Sequence, residues 1–267
     1  MHPILYSSGD TTLHTYGLLA ALAFLLAGFV TFVRARNRGL SITHVADVLL
    51  VGGFVGLFGA RAVFLFQNPE HDGSMMAWLD LQSGGLVFYG AVLFGLPAAV
   101  LTMRLRKLPI WATCDVFATG LPLGHAVSRL GCLAAGCCHG LPTEVPWAVT
   151  FHESTAVAPL GVPLHPTQVY EAIWLFGIAA WTQWWYPKRQ WEGQTMAHYL
   201  IAYGVGRILL EVFRGDESRG FFLSEWLGEL LTYSQGVSLL VILVGGLGFH
   251  LLARRHAGPS ARNHANP

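Results

Sequence analysis

Seven long apolar stretches divide the chain, and they constrain its fold more than any other feature. Each has roughly the 20 residues that an α-helix needs to cross the hydrocarbon core of a bilayer. We predict helical spans near residues 14–33, 45–66, 85–103, 113–132, 170–186, 196–214 and 236–252. The sequence therefore predicts an all-α, polytopic membrane protein with seven transmembrane helices.

The composition leads to the same class of protein. Hydrophobic residues make up 53% of the 267 residues and charged residues only 12%, which leaves too little polar surface to cover a soluble globule. The cations are spread over several segments instead of lying together, so we expect no nucleic-acid binding. No basic residue or small-residue cleavage site precedes the first apolar stretch, so we expect the first helix to be retained.

The positions of the cations predict the orientation of the helices. Eleven of the sixteen Lys and Arg residues lie in every second connection or in the carboxyl-terminal tail. They are Arg34, Arg36, Arg38, Arg104, Arg106, Lys107, Lys188, Arg189, Arg254, Arg255 and Arg262. Because cationic segments beside membrane spans stay in the cytoplasm, the amino terminus is predicted outside and the carboxyl terminus inside.

The same topology divides the chain into one membrane domain and two flanking features. We expect a single seven-helix domain over 1–253 and a disordered cytoplasmic tail over 254–267, which is poor in apolar residues. The connection 133–169, between the fourth and fifth helices, contains five prolines and neither Lys nor Arg. A connection of this length in a compact protein is usually functional, so we predict an extracytoplasmic cap.

The five remaining cations are arginines near the outer ends of apolar segments. They are Arg61, Arg129, Arg207, Arg214 and Arg219. An arginine deep in a bilayer costs about 2.5–3.5 kcal/mol on insertion scales. Extension of the side chain to the interface would explain Arg61 alone. Together, however, Arg61, Arg129 and Arg207 come from three different predicted helices, and this favours a binding site. Guanidinium groups bind phosphate through paired hydrogen bonds, so we expect an outward-facing site for an anionic group.

Two sets of polar residues lie on or near these arginine-bearing segments. Arg207, Glu211 and Arg214 recur at spacings of four and three, which predicts one helix face; this pattern fits either an ion-pair ladder that orients helices or a cation site. Gln168 and Glu171 likewise share a face at the start of the fifth span, just after His165. A histidine beside a carboxylate is suited to holding a proton near neutral pH, whereas Tyr170 is typical of an interfacial aromatic belt.

Thiols and an imidazole cluster after the fourth span, in SRLGCLAAGCCHG. The residues are Cys132, Cys137, Cys138 and His139. Three interpretations stay open: a zinc site with His152 and His165 as further ligands, an outer disulfide, or a reactive thiol activated by Arg129 or His139. Adjacent cysteines lack the two-residue spacing typical of zinc sites, so we expect no metal.

Six motifs together resemble one enzyme family. In chain order they are LHTYG at 13–17, GARAVFLF, GGLVFYG, SRLGCLAAGCCHGLPTEVPWAVTF, HPTQVYEA and YGVGRILLEVFRGD. Over most of its length the chain resembles the bacterial prolipoprotein diacylglyceryl transferases. The resemblance implies a seven-helix enzyme of the bacterial cytoplasmic (inner) membrane, with its active site toward the extracytoplasmic side.

The resemblance also implies a reaction. The diacylglyceryl group of phosphatidylglycerol, or of another anionic phospholipid, moves to the lipobox cysteine thiol beside the prolipoprotein signal peptide. A thioether forms and glycerol 1-phosphate is released. We expect neither a metal nor another cofactor for this chemistry.

The resemblance assigns roles to particular residues. Arg129 matches the family's signature arginine, Arg207 its second essential arginine, Tyr16 its first-helix tyrosine and Gly140 its closing glycine, while Glu211, Arg214 and His165 also fall on family positions. We expect a catalytic group and a substrate-binding group. The catalytic group is Arg129, Arg207, His139, His165 and Tyr89. The substrate-binding group is Tyr16, Arg61, Gly140, Gln168, Glu171, Glu211 and Arg214.

The chain departs from the family pattern in two places. Tyr89 replaces a usual histidine, and the stretch that normally reads Gly-Arg-x-Gly-Asn and then Asn-Gly-Glu has Ser128, Cys132, Ala135 and Cys137. We therefore consider His139 or His165 as the base that takes the thiol proton, with Tyr89 orienting substrate. The alternatives are the same lipid donor with a different acceptor, or a non-enzymatic lipid-binding or thiol-sensing membrane protein.

Overall fold

The structure is a computed structural model that describes residues 3–8, 11–68, 78, 85–215 and 232–257. Arg219 and the part of the predicted tail beyond residue 257 lie outside the described residues. The coordinates group into two compact units, and we describe each by itself. The smaller unit is Phe32–Thr113, and the larger unit combines Met1–Thr31 with Cys114–Pro267.

Each predicted span corresponds to one long helix in the described chain. The helices are α1 (Thr15–Asn37), α2 (Ile42–Gln67), α3 (Phe88–Leu105), α4 (Ile110–Ala135), α5 (Thr167–Trp185), α6 (Gln194–Glu211) and α7 (Tyr233–Ala257). Helix α7 thus runs four residues past the predicted end of the membrane domain at 253. The single domain and the disordered tail stay predictions.

The described residues also include two short pairs of strands that the all-α prediction missed. Strands β1 (Ile4–Ser8) and β2 (Thr11–His14) form an antiparallel hairpin before α1. Strands β3 (Val149–Thr150) and β4 (Pro163–Leu164) pair inside the cap. Strands of two residues are too short to produce the alternating pattern by which a strand is found in a sequence.

Among the described residues, four helices have the length and composition to cross a membrane: α1, α2, α3 and α7. They support the prediction of an integral membrane protein, and the seven-span topology stays a prediction. Helices α4, α5 and α6 contain buried charged residues such as Asp115, Glu171 and Arg207. These polar positions lower the hydropathy of the three helices, which are the ones that bear most of the predicted site.

Glycines allow close helix packing inside each unit. In the smaller unit, Gly59 on α2 meets Gly90 on α3 so closely that a Cβ on Gly59 would lie 2.7 Å from the Gly90 carbonyl oxygen. In the larger unit, a Cβ on Gly124 would lie 2.7 Å from the carbonyl oxygen of Ala23 on α1. Small residues at such positions let membrane helices pack backbone to backbone.

The cap has a small hydrophobic core of its own. Phe151, Ala158 and Leu164 are buried together there, and Leu164 pairs with Val149 across β3 and β4. A further bridge joins Leu164 to Pro142. The core fixes the polypeptide just before His165 and the start of α5, and so positions the residues that begin that helix.

A buried carboxylate caps the amino-terminal end of α6. Asp115 Oδ2 accepts a hydrogen bond from the Gly193 amide at 2.8 Å, and Oδ1 accepts one from the Met196 amide at 3.0 Å. Arg189 Nε lies 3.5 Å from Oδ2. A carboxylate at a helix amino terminus satisfies amide groups that have no partner within the helix and interacts favourably with the helix dipole.

Replacing this carboxylate tests its contribution to stability. We expect Asp115→Asn to lower the free energy of unfolding by about 1–3 kcal/mol, because one buried amide loses a charged acceptor. Asp47→Asn is the matched control, since Asp47 pairs with Arg106 at a partly exposed site, where an ion pair contributes about 0–1 kcal/mol. Thermal unfolding of both variants in detergent measures the difference; equal melting temperatures would contradict the capping role.

Candidate active site

Arg129 lies at the centre of a polar network between α4 and α5. Its Nη2 is 3.0 Å from Glu171 Oε1 in a salt bridge whose side chains are 15% and 6% exposed. Its Nε donates to His125 Nε2 at 3.2 Å, and its Nη1 donates to Cys138 Sγ at 3.6 Å. The guanidinium is thus held from three directions, and Glu171 offsets the cost of burying its charge.

His125 was missed by the sequence interpretation. Because its Nε2 accepts the Arg129 hydrogen bond, that nitrogen has no proton and the ring is neutral, with the proton on Nδ1. The 3.8 Å separation from Glu171 Oε1 is then no ion pair. The four-residue spacing between His125 and Arg129, which places both on one helix face, is the signal that would have identified this residue.

His125 also links α4 to α6. Its ring packs against Tyr203 with the ring centroids 5.6 Å apart, and Tyr203 lies one turn before Arg207 on α6. Both Arg129 and Arg207 lie near enough to act electrostatically on His125. The two arginines therefore belong to one continuous polar region.

Arg207 forms the second part of this region. Its Nη1 pairs with Glu211 Oε2 at 2.5 Å, one turn along α6, and its Nη2 donates to Ser234 Oγ on α7 at 2.9 Å. Arg207 is 8% exposed and Glu211 2%. A buried arginine with a carboxylate partner on the same helix and a hydroxyl on the next is tightly oriented.

The predicted helical stripe is wrong at Arg214. Helix α6 ends at Glu211, and Arg214 instead forms a β-bridge with Gly140 in the segment after α4. The amides of Phe213 and Arg214 close a last, tighter turn onto the carbonyls of Leu210 and Glu211. The chain then leaves the helix because the Phe213 carbonyl accepts from the Leu141 amide and the Gly215 amide donates to the His139 carbonyl. Arg214 nevertheless stays buried and acts electrostatically on Cys138.

Backbone hydrogen bonds join three segments around Gly140. The Gly140 amide donates to the His165 carbonyl at 3.0 Å, the His165 amide to the Leu141 carbonyl at 3.0 Å, and the Leu141 amide to the Phe213 carbonyl at 2.9 Å. A Cβ on Gly140 would lie 2.5 Å from His165 Cβ and 2.7 Å from the Phe213 carbonyl oxygen. Glycine is needed here because the neighbouring backbones leave no space for a side chain.

The two candidate bases have different surroundings. His165 Nδ1 lies 3.1 Å from the Tyr170 hydroxyl, which accepts a hydrogen bond from Trp147 Nε1 at 2.7 Å. His139 Nδ1 lies 3.0 Å from the Gly140 carbonyl oxygen. A carbonyl only accepts, so Nδ1 of His139 donates to it, and Nε2 is the nitrogen that can offer a lone pair.

The first turn of α5 fixes the cysteine segment. Thr167 Oγ1 donates to the Cys138 carbonyl and Gln168 Nε2 to the Cys137 carbonyl, both at 2.7 Å. The Sγ atoms of Cys132, Cys137 and Cys138 all lie within 4.8 Å of one another. Each is a free thiol, so the structure contains no disulfide at these positions.

The surroundings of the two adjacent thiols affect them in opposite ways. Hydrogen bonds from the Cys132 and Cys137 thiols lower the pKa of Cys138, and the charges of Arg129 and Arg214 lower it further. Hydrogen bonding to the same neighbours raises the pKa of Cys137. Cys138 is therefore the member of the cluster that is most readily a thiolate.

The other predicted residues occupy separate positions. Tyr16 on α1 is 44% exposed and lies against Gly131, two residues after Arg129. Arg61 and Tyr89 belong to the smaller unit. There Arg61 is buried and its Nη1 donates to the Gly85 carbonyl at 3.1 Å, whereas Tyr89 is 41% exposed.

The fold and site define an integral membrane protein with buried arginine–carboxylate pairs beneath a small cap, an arrangement suited to binding an anionic group. The chain belongs to the prolipoprotein diacylglyceryl transferase family, whose model matches residues 3–251. This membership confirms the resemblance seen in the motifs and the predicted class of enzyme, a transferase.

Individual relatives resemble the chain over nearly its whole length. A phosphatidylglycerol–prolipoprotein diacylglyceryl transferase of Clostridium tetani is 30% identical, over 94% of this chain and 98% of its own. One from Pasteurella multocida is 31% identical, over 96% of this chain and 93% of its own. One from Bifidobacterium adolescentis is 30% identical, over 94% of this chain and 81% of its own.

The Arg129–Glu171 pair predicts a large effect of removing one charge. We expect Glu171→Gln to lower the free energy of unfolding by about 2–3 kcal/mol, because a buried guanidinium loses its counter-charge. Glu144→Gln is the control, since Glu144 is exposed in the cap and surface changes usually stay within about 0.5 kcal/mol. Thermal unfolding in detergent compares the two, and a Glu171→Gln melting curve like that of Glu144→Gln would show that the pair is not stabilising.

The close backbone approach at Gly140 predicts that no side chain is tolerated there. Gly140→Ala should separate the segments at His165 and Phe213 and lower stability by about 1–3 kcal/mol, as overpacking does. Gly177→Ala on α5 has open space around its Cβ and should be neutral or slightly stabilising. Melting temperatures of the two variants check this expectation; a Gly140→Ala protein as stable as the native chain would contradict it.

Proposed function

We propose that this protein transfers the diacylglyceryl group of phosphatidylglycerol to the lipobox cysteine thiol of a prolipoprotein, forming a thioether and releasing glycerol 1-phosphate. The observation that carries the proposal is the pair of arginines on separate helices, Arg129 on α4 and Arg207 on α6, each paired with a buried carboxylate and each acting electrostatically on His125. The relatives' names, which state the donor and the acceptor, support it.

Binding of the donor phosphate follows from the arginine geometry. A guanidinium has five N–H donors; the contacts above engage three of them at Arg129 and two at Arg207. The others bind phosphate oxygens and stabilise the charge that develops as glycerol phosphate leaves. Glu171 and Glu211 hold the two guanidinium groups in place before substrate arrives.

The acceptor thiol must lose its proton, because thiolate is the nucleophile. His139 is our candidate for the base, since Nδ1 is engaged by the Gly140 carbonyl and Nε2 has the lone pair. His165 is the second candidate, and the orienting role of Tyr89 stays a prediction from the sequence. The thiolate attacks the glyceryl carbon, the carbon–oxygen bond to phosphate breaks, and the phosphomonoester leaves with the electron pair.

We also propose seven spans in the bacterial inner membrane, with the amino terminus outside and the carboxyl terminus inside. The cap, the end of α4 and the start of α5 lie at one end of the larger unit's helices, and Lys188 and Arg189 lie at the opposite end, between α5 and α6. Because cationic connections stay in the cytoplasm, this separation supports an active site that faces the extracytoplasmic side.

Conservative arginine substitutions test the phosphate site. We expect Arg129→Lys and Arg207→Lys each to lower the transfer rate by about 100–1,000-fold, the loss typical of removing an electrostatic donor, since lysine cannot reproduce the paired geometry. Arg36→Lys, at an exposed position at the end of α1, is the control. Transfer is measured in vesicles that contain labelled phosphatidylglycerol and a lipobox peptide; native rates in both variants would exclude the arginine site.

The thiols in the signature stretch favour one second candidate, the same donor with a different acceptor. Cys132 and Cys137 stand where the family pattern has polar side chains, so the acceptor side of the site differs from that pattern. Thin-layer analysis of lipids from cells that express the chain distinguishes the two candidates, because a new lipid product without modified lipoprotein indicates the second. Growth of cells depleted of their own lipoprotein-modifying enzyme supports the first.

A further inference from the structure

Three thiols converge beside the proposed phosphate site. The Sγ atoms of Cys132, Cys137 and Cys138 lie within 4.8 Å of one another, and they are the one group of metal-type ligands found in the described part of the chain. Cys132 is buried, whereas Cys137 and Cys138 are partly exposed. The cluster is therefore closed on the α4 side and accessible on the other.

The spacing of the sulfur atoms suits a zinc ion. Zinc–sulfur bonds of about 2.3 Å in a tetrahedral site place ligand sulfurs about 3.8 Å apart, so the three sulfur atoms, all within 4.8 Å of one another, lie close to the spacing that the metal requires. Zinc with three protein ligands keeps a fourth position for water or substrate, as catalytic zinc sites do. Thiolates favour such soft ions over magnesium or calcium.

The fold brings together three cysteines whose spacing in the sequence is not typical of a zinc site. Cys132 lies in the last turn of α4, and the chain then reverses through left-handed conformations at Gly136 and Cys138, with φ values of 73° and 58°. This reversal returns the adjacent cysteines toward Cys132. Adjacent cysteines lack the two-residue spacing typical of zinc sites, and here the end of a helix and the reversal after it bring the three sulfur atoms together instead.

Surrounding groups hold the cluster and balance its charge. Thr167 and Gln168 fix the carbonyl groups of Cys138 and Cys137, each at 2.7 Å, and Gln168 is only 1% exposed. Three thiolates around Zn²⁺ carry one net negative charge, which Arg129 Nη1, 3.6 Å from Cys138 Sγ, offsets. Contacts of this kind, made to the ligand residues by their neighbours, orient the ligands in metal sites.

We propose that Cys132, Cys137 and Cys138 bind Zn²⁺ as three thiolates and that the acceptor cysteine thiol occupies the fourth position. The inference rests on the proposed function and deepens it by assigning the activation of the acceptor. A coordinated thiol is held as thiolate, so its proton is released to water on binding. The thiolate sulfur then forms the bond to the glyceryl carbon, and glycerol phosphate leaves with the electrons of the broken carbon–oxygen bond.

The site also explains the departure from the family pattern. Thiols stand at Cys132 and Cys137, where the pattern has polar side chains that orient substrate. Zinc is not redox-active and acts as a Lewis acid, so it replaces those side chains with a single centre that binds the acceptor sulfur. The position beside Arg129 places that sulfur next to the phosphate of the donor.

Metal binding is tested on the full chain, purified in detergent under reducing conditions, stripped with a chelator and titrated with Zn²⁺. We expect one tightly bound Zn²⁺ per chain, and its loss in Cys132→Ser, Cys137→Ser and Cys138→Ser. Cys114→Ser, in the same helix as Cys132 but outside the cluster, should retain it. Melting curves show whether each variant is folded, and zinc retained by the three folded cluster variants overturns the proposal.

Coordination of the acceptor is tested with Co²⁺ in place of zinc. Adding a lipobox peptide should change the visible spectrum of the cobalt, because a fourth thiolate enters its coordination sphere, and the same peptide with serine for cysteine should not. An unchanged spectrum overturns the proposal without reference to any lipid. This test needs no substitution in the protein.

Transfer assays separate this inference from the proposed function. Removing zinc from the native chain should slow transfer to the peptide by about 100-fold, the size expected when activation of the nucleophile is lost, and adding Zn²⁺ should restore it. Full transfer by the stripped chain overturns the zinc site and leaves the proposed function standing. A cobalt spectrum that responds to peptide, with no transfer by the zinc-loaded chain, supports thiol coordination and overturns the proposed donor.

Discussion

The salt bridge between Arg129 and Glu171 is the interaction on which the larger unit depends. A guanidinium placed among membrane helices needs a counter-charge, and Glu171 provides it at 3.0 Å from the adjacent helix. Because α5 must come close enough to supply that carboxylate, its first turn also reaches the cysteine segment through Thr167 and Gln168. One electrostatic requirement thus determines where α4, α5 and the segment between them meet.

The need to pair buried charges also explains why some helices are more polar than others. Helices α1, α2, α3 and α7 are apolar enough to cross a membrane on composition alone. Helices α4, α5 and α6 are more polar because they carry the buried charges, and their packing compensates through paired ions and capped ends, as at Asp115. Charged residues within membrane helices that pair with one another typically mark a functional site.

The sequence predicted the features that arise from a pattern over many residues. It did not predict very short strands or features that depend on tertiary contacts. Apolar stretches predicted the seven long helices of the described residues because a span needs some 20 apolar residues. The two-residue strands of the cap escaped detection, and α6 ends before Arg214 because of backbone bonds to a segment over 70 residues earlier. His125 and the convergence of the three thiols likewise depend on tertiary contacts that spacing alone does not reveal.

The backbone ladder at Gly140 has a consequence for how the chain tolerates change. Since the amides of Gly140, Leu141 and His165 are paired in sequence with carbonyls of two other segments, the number of residues between α4 and Gly140 is fixed. A single insertion there would move the thiols out of register with α5 while leaving every helix intact. A change of side chain in this stretch leaves these backbone bonds in place, whereas a change in its length breaks them.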